Sequence, residues 1–413
     1  MAGHEQITAT DSAYAAARLV AALALTTVGA CGMYIVPVVL PAVQGEFGIA
    51  RAQAALPYSL MMICFGLGGL MMGRIADRFG VMVPLLIGGT GIGLGFAIAS
   101  MTGSFTAFML AHGIFIGLFG SSAMFAPLIA DTSLWWVRRR GIAVAVCASG
   151  NYLGGTIWPP VIQHLIEQVG WRQTYLSAGI FCFVAATTLA LCMRRRPPIA
   201  VAAAGSSTTA KRSSRPFGLT SAQAQTLLCI AGVACCVAMS MPQVHIVAYC
   251  ADLGDGAARG AQMLSVMMAF GIASRLISGV ICDRIGGLRT LLLGSSLQGV
   301  ALLLFLPFDS LASLYVIAAL FGLFQGGIVP SYAIIIREHF PAREAGARVG
   351  LVVMCTLAGM ALGGWISGKV FDLTGSYTAA FLNGTSWNAL NLLIASFLLY
   401  RTRLVARRAA AVS

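Results

Sequence analysis

Apolar residues in this chain run in long blocks separated by short polar breaks. Twelve blocks stand out, at 18–42, 53–75, 83–101, 104–130, 141–165, 173–193, 224–249, 260–282, 287–307, 310–336, 346–370 and 377–400. Each is close to the ~20 residues a helix needs to cross a hydrocarbon layer of ~30 Å. A backbone in lipid must satisfy its own N–H and C=O groups, which leaves helices as the solution for blocks of this length. The pattern predicts an all-α membrane protein with twelve transmembrane helices. One break is longer than the others. "RRRPPIAVAAAGSSTTAKRSSRPFG" (194–218) is basic and rich in Ser, Ala and Pro, and reads as a flexible linker. The expected organisation is therefore a first six-helix bundle over 1–193, a linker over 194–220 and a second six-helix bundle over 221–413.

Composition agrees. The chain is 58% hydrophobic and 9% charged, with a mean hydropathy of +0.87, whereas soluble domains carry about 25% charged residues. The polar start "MAGHEQITAT" leads into an apolar block too long for a signal-peptide core, so that block reads as the first span. The net charge of +13 does not indicate nucleic acid, because of where the charge lies. Alternating the breaks between two sides puts 21 Lys and Arg residues on one side, Arg18 and Arg138–Arg140 among them. Only Arg51, Arg172, Arg259 and Lys369 fall on the other, and Arg275 lies inside a block. Such a bias predicts a multi-pass protein, surrounded by lipid, with both termini in the cytoplasm. The eleven cysteines fall in or near apolar blocks with no C-x-x-C and no Cys/His cluster, which reads as packing and excludes a metal site. There is no phosphate-binding loop, no nucleophile–His–acid set and no soluble insert, so no cofactor and no enzyme activity are expected; a monomer is.

The two halves repeat. "SLMMICFGLGGLMMGRIADRFG" (59–80) aligns without a gap on "SVMMAFGIASRLISGVICDRIG" (265–286). Gly73, Asp77, Arg78 and Gly80 fall on Gly279, Asp283, Arg284 and Gly286, and Leu153-Gly154-Gly155 matches Leu362-Gly363-Gly364. The glycines at 73 and 279 are expected to allow close helix approach. The aspartates are expected to accept hydrogen bonds from a neighbouring helix end or from arginines such as Arg138, Arg139 and Arg140. The duplicated G-x-x-x-D-R-x-G after the second and eighth blocks resembles the loop signature of the major facilitator superfamily. That resemblance implies two six-helix bundles rocking about a midplane site.

Arg275 aligns with Gly69 and is therefore an addition to a duplicated helix. It stands eight residues before Asp283, or about 12 Å along a helix. A charge at that depth is costly and usually marks a substrate or ion path. The thirteen acidic residues lie in loops or at helix ends, with Asp131 at the end of the fourth block. A guanidinium in such a setting attracts an anion and holds a carboxylate in a fork. His245, three residues after Pro242, is a second candidate, able to donate to a carboxylate. Its alternative role is a helix-packing hydrogen bond or a lid. Tyr34, Ser121, Asn151, Gln325 and Tyr332 are further cavity candidates, each equally open to a packing role.

"MPQVHIVAYCADLG" followed by "MLSVMMAFGIASRLISGVICDRIGG" resembles the seventh and eighth spans of the bacterial monocarboxylate-transporter-like branch of that superfamily. The resemblance implies that Arg275 binds the carboxylate, that His245 is the matching span 7 histidine, and that the membrane is a bacterial inner membrane. Animal members carry an aspartate one turn before the arginine, where this chain has Gly271, and a lysine in the first span, where 26–39 has none. The expected function is a secondary carrier of a small monocarboxylate such as lactate or pyruvate, with protons as possible co-substrate. An organic-anion exchanger of the oxalate/formate type and a drug or metabolite exporter are the alternatives.

Overall fold

In the computed structural model, which describes residues 10–196 and 216–410, every long element among the described residues is a helix. Among the described residues, ten segments are long and apolar enough to cross a membrane. One of them, Arg140–Cys192, has 53 residues and would be about 80 Å long if straight, far more than a bilayer. It does not run straight. Gly170, at φ 79° and ψ 161°, turns the chain between the blocks at 141–165 and 173–193. The last block lies on Tyr377–Ala410. Most of the expected linker, 197–215, falls outside the described residues.

Three blocks that read as continuous are broken. The first becomes α1 (Ala13–Gly29) and α2 (Cys31–Phe47), the latter with Pro37 and Pro41 inside it. The fourth becomes Phe105–Leu110, a π-helical stretch over Ala111–Ser121 and a final helix, Ala126–Trp135. The tenth becomes Leu311–Gln325 and Ile328–His339, parted at Gly326-Gly327. Each break frees backbone groups that need partners. At the first, the Ser121 hydroxyl donates to the Gly29 carbonyl at 2.7 Å.

The chain divides into two compact units. The first comprises the residues to Ser207 together with Ile246–Ala269, the second Thr208–His245 together with Phe270–Ser413. The core of the second gathers Leu228, Cys235, Met239, Leu291, Tyr332, Ile335 and Leu398. In the first, the outer rim is braced by Arg172. Its Nε and Nη2 donate to Glu46 at 3.2 and 2.6 Å, and its Nη1 donates to the carbonyls of Ser100 and Thr102 at 2.7 and 2.8 Å. The Trp171 indole joins it, donating to the other Glu46 oxygen.

The repeated loop motif is a repeat of backbone as well as sequence. Gly80 and Gly286 share one conformation, φ 88° and 84° with ψ 161° at both. That region is closed to residues with a Cβ, so the last glycine of each copy is dictated by geometry. The expectation for Gly73 and Gly279 is corrected. A Cβ on either meets nothing within 4 Å, so neither mediates a close helix approach. Close approach falls elsewhere. A Cβ on Gly68 would strike the Leu118 carbonyl and the Ser122 hydroxyl, and one on Gly326 would lie 2.5 Å from the Gly271 carbonyl. Of the arginines expected near the motif aspartates, Arg140 donates its Nε to the Trp136 carbonyl at 3.3 Å.

Candidate functional site

The second unit carries three of the candidate residues, Arg275, Gln325 and His245, on helices that touch one another. Arg275 is half-buried in the interior of Ala257–Ile285, about 15 Å along the axis from that helix's C-terminal end. The residue before it, Ser274, packs against the break at Gly326, where an added Cβ would lie 2.8 Å from the serine Cβ. Gln325, immediately before the break, is fully buried and accepts from Gln243 Nε2 at 2.9 Å. Gln243 stands two residues before His245 on Ser221–Asp252. One chain of contacts, Ser274 to Gly326 and Gln325 to Gln243, thus links the helices that carry Arg275, Gln325 and His245. Two polar atoms along it, Gln325 Nε2 and Ser274 Oγ, are buried and make no hydrogen bond among the described residues.

His245 is completely buried, and its Nε2 lies 2.8 Å from the Gly364 carbonyl, a contact that only an N–H can make. One ring nitrogen therefore serves the packing of Ala342–Thr374 on the histidine's helix. Tyr332 is turned the other way. Its hydroxyl donates to Asn391 Oδ1 at 3.0 Å, while Asn391 Nδ2 donates to Ser295 at 2.7 Å. Asn388 donates to the Ser295 carbonyl at 3.0 Å, so this is a polar network inside the bundle.

In the first unit the candidates are dispersed. Ser121 is committed to the break after α1. Tyr34 donates to Met268 Sδ at 3.2 Å, with both groups pressed on Gly155, where a Cβ would lie 2.6 Å from either side chain. Asn151 is half-buried, and its Oδ1 has no hydrogen-bond partner among the described residues. A cavity of about 300 Å³ lined by Thr90, Gly93, Leu94, Ala97, Leu176, Gly179, Ile180 and Phe183 holds none of these residues.

Two arginines that count among the charges at span ends are buried: Arg18 and Arg51 are only 4% and 6% exposed. Arg51 pairs with Asp252 at 3.1 Å and bonds Gln44 at 2.6 Å. Arg18 pairs with Asp131 at 2.7 Å, with its guanidinium 4.7 Å from the Trp135 ring centroid. No local sequence signal marks either pair. Two glycine pairs seat the helices. Gly150-x-x-x-Gly154 packs on α1 and on Ala30, and Gly359-x-x-x-Gly363 packs on Ser221–Asp252, in matching positions of the two halves.

Known proteins match most of the chain. The model of the Major Facilitator Superfamily matches residues 22–317 and 261–412. Monocarboxylate transporter 13 of Rattus norvegicus is 29% identical over 326 residues, covering 75% of this chain and 71% of its own. The MFS-type transporter opdF of Penicillium oxalicum is 25% identical over 324 residues, covering 75% of this chain and 72% of its own. The first of these supports the likeness to monocarboxylate transporters; both relatives are eukaryotic, and neither places the chain in a bacterial branch. Among solved structures, a bacterial homolog of the human lysosomal transporter Spinster superposes with a TM-score of 0.71 at 16% identity, covering 94% of this chain and 97% of that one. At that identity the match speaks for the fold alone.

Proposed function

The chain belongs to the Major Facilitator Superfamily, and from that premise we propose that it carries a small organic monocarboxylate of the lactate or pyruvate kind by alternating access, coupled to protons. Arg275 is the observation that carries this reading. Gly69 serves at the equivalent place in the first half, so the duplicated helix does not itself require an arginine there. A guanidinium at that depth costs about 3 kcal/mol or more to insert. A carboxylate returns that energy through paired, charge-assisted hydrogen bonds. Gln325 Nε2 and Ser274 Oγ add uncharged polar atoms suited to the rest of a small oxygenated acid. The name of the rat relative points the same way. The excess of Lys and Arg on one side supports cytoplasmic termini.

Proteoliposomes containing the purified protein test the proposal. Wild type is expected to take up labelled lactate or pyruvate, with Arg275→Ala inactive and Arg275→Lys strongly impaired, because an ammonium cannot reproduce the planar fork. Equal uptake of every acid by wild type and Arg275→Ala refutes it.

A further inference from the structure

Among the described residues, Asp131 is the one acidic side chain that is buried, at 7% exposure. It sits on Ala126–Trp135 and meets Arg18 of α1 through a single contact, Nη2 to Oδ2 at 2.7 Å. The other two guanidinium nitrogens, Nε and Nη1, are buried and make no hydrogen bond among the described residues. This chain supplies its own comparison. Arg172, the brace at the outer rim, fills Nε, Nη1 and Nη2 with four acceptor contacts. An arginine present only to fasten two helices looks like Arg172. A buried pair held at one point gives little net stability, because desolvation offsets most of the attraction.

The surroundings suit a pair that opens and closes. The Trp135 ring covers the guanidinium at 4.7 Å, and Tyr14 packs edge-on against that ring at 5.3 Å. Arg195 lies 5.0 Å above the Tyr14 ring. From Arg140–Cys192, the Cys147 thiol faces Asp131 and Thr132. The remaining nearby acid, Asp11, is held by the amides of Val137 and Arg138. The single formal charge set against Asp131 is therefore Arg18.

We propose that Asp131 is a proton-binding site of this carrier and that Arg18 is the cation it releases. A proton from solution adds to the Asp131 carboxylate, giving the neutral acid. The ion pair opens, and Arg18 keeps its charge and turns its free N–H groups to an anionic acceptor. Loss of the proton restores the pair. Binding of the proton and handling of negative charge are thereby linked through one arginine.

The transport assay rests on the carboxylate reading above, so two readouts are used. In proteoliposomes, wild type, Asp131→Asn and the double variant Arg18→Gln/Asp131→Asn are compared. One measurement is exchange of labelled for unlabelled lactate at equal pH; the other is uptake driven by an inward proton gradient. Asp131→Asn, which keeps Arg18, is expected to keep exchange, and both variants are expected to lose all stimulation by the gradient. The double variant leaves no buried charge unmatched, so it stays informative if the single variant fails to fold. Gradient stimulation that persists in either variant overturns the proposal, as does a wild type that exchanges lactate without responding to the gradient. The second readout needs no substrate. Infrared difference spectra of wild type between neutral and acidic pH are expected to show the carbonyl band of a protonated buried carboxyl, lost in Arg18→Gln/Asp131→Asn. A wild type without that band overturns the proposal. A wild type that shows the band but moves no carboxylate overturns the function proposed above and leaves the proton site standing.

Discussion

Gly363 offers the sharpest test of how these helices are seated. A Cβ there would lie 2.5 Å from the Val237 carbonyl oxygen and 2.7 Å from the Val237 Cα. Ordinary contact is about 3.5 Å, and both opposing atoms are backbone, so Gly363→Ala must push Ala342–Thr374 away from Ser221–Asp252 by about 1 Å. Two hydrogen bonds cross the same seam. His245 Nε2 meets the Gly364 carbonyl at 2.8 Å, and Ser240 Oγ donates to the Met360 carbonyl at 2.7 Å. A retreat of that size takes both past hydrogen-bonding range. Two lost bonds cost about 0.5–1.5 kcal/mol each, and overpacking adds about 1–3 kcal/mol. The sum of about 2–6 kcal/mol corresponds to a fall in Tm of roughly 5–20 °C for a unit of this size. Gly279→Ala is the control. It belongs to the repeated loop motif, yet its Cβ meets nothing within 4 Å, and alanine gains up to about 1 kcal/mol in helix propensity. Thermal unfolding in detergent, followed by tryptophan fluorescence, should rank Gly363→Ala far below wild type and Gly279→Ala level with it or above. A Gly363→Ala protein that melts with wild type, or a Gly279→Ala protein that falls as far, refutes the reasoning.

Other substitutions probe the remaining devices. Arg172→Ala removes four acceptor contacts from the outer rim and should cost about 2–4 kcal/mol by the same melting assay, with Arg172→Lys recovering only part of it. Gly286→Ala, at φ 84° and ψ 161°, should cost about 1–3 kcal/mol through backbone strain; Gly80→Ala should match it, since both copies share the conformation. Asn391→Leu strands the Tyr332 hydroxyl and the Ser295 side chain, a loss of about 1–3 kcal/mol for each buried group. Adding Tyr332→Phe should restore part of that loss, visible as a rise in Tm of the double variant over the single.

The helices were legible because lipid leaves the backbone no other way to satisfy itself, so an apolar block of span length carries its own answer. The breaks inside the blocks were not. Gly29-Ala30 and Gly326-Gly327 are as apolar as their neighbours, and what opens the helix is a partner for the freed groups, such as Ser121 on the Gly29 carbonyl, 92 residues away in sequence. Polar residues within spans posed the same problem in another form. Ser121, Tyr332 and Gln325 are alike in a hydropathy pattern, yet the first two are spent on internal bonds, whereas Gln325 keeps a buried N–H without an acceptor among the described residues. Arg275 stood out because a charge deep in a span is rare whatever surrounds it. Arg18 did not, because five residues into a helix a charge passes for an end charge until its partner, 113 residues on, is seen to be buried with it. Position along the chain reports depth in the membrane; it cannot report which face of the helix a side chain takes. The charges that one-dimensional counting treats as orientation signals are therefore where a buried functional pair most easily escapes notice.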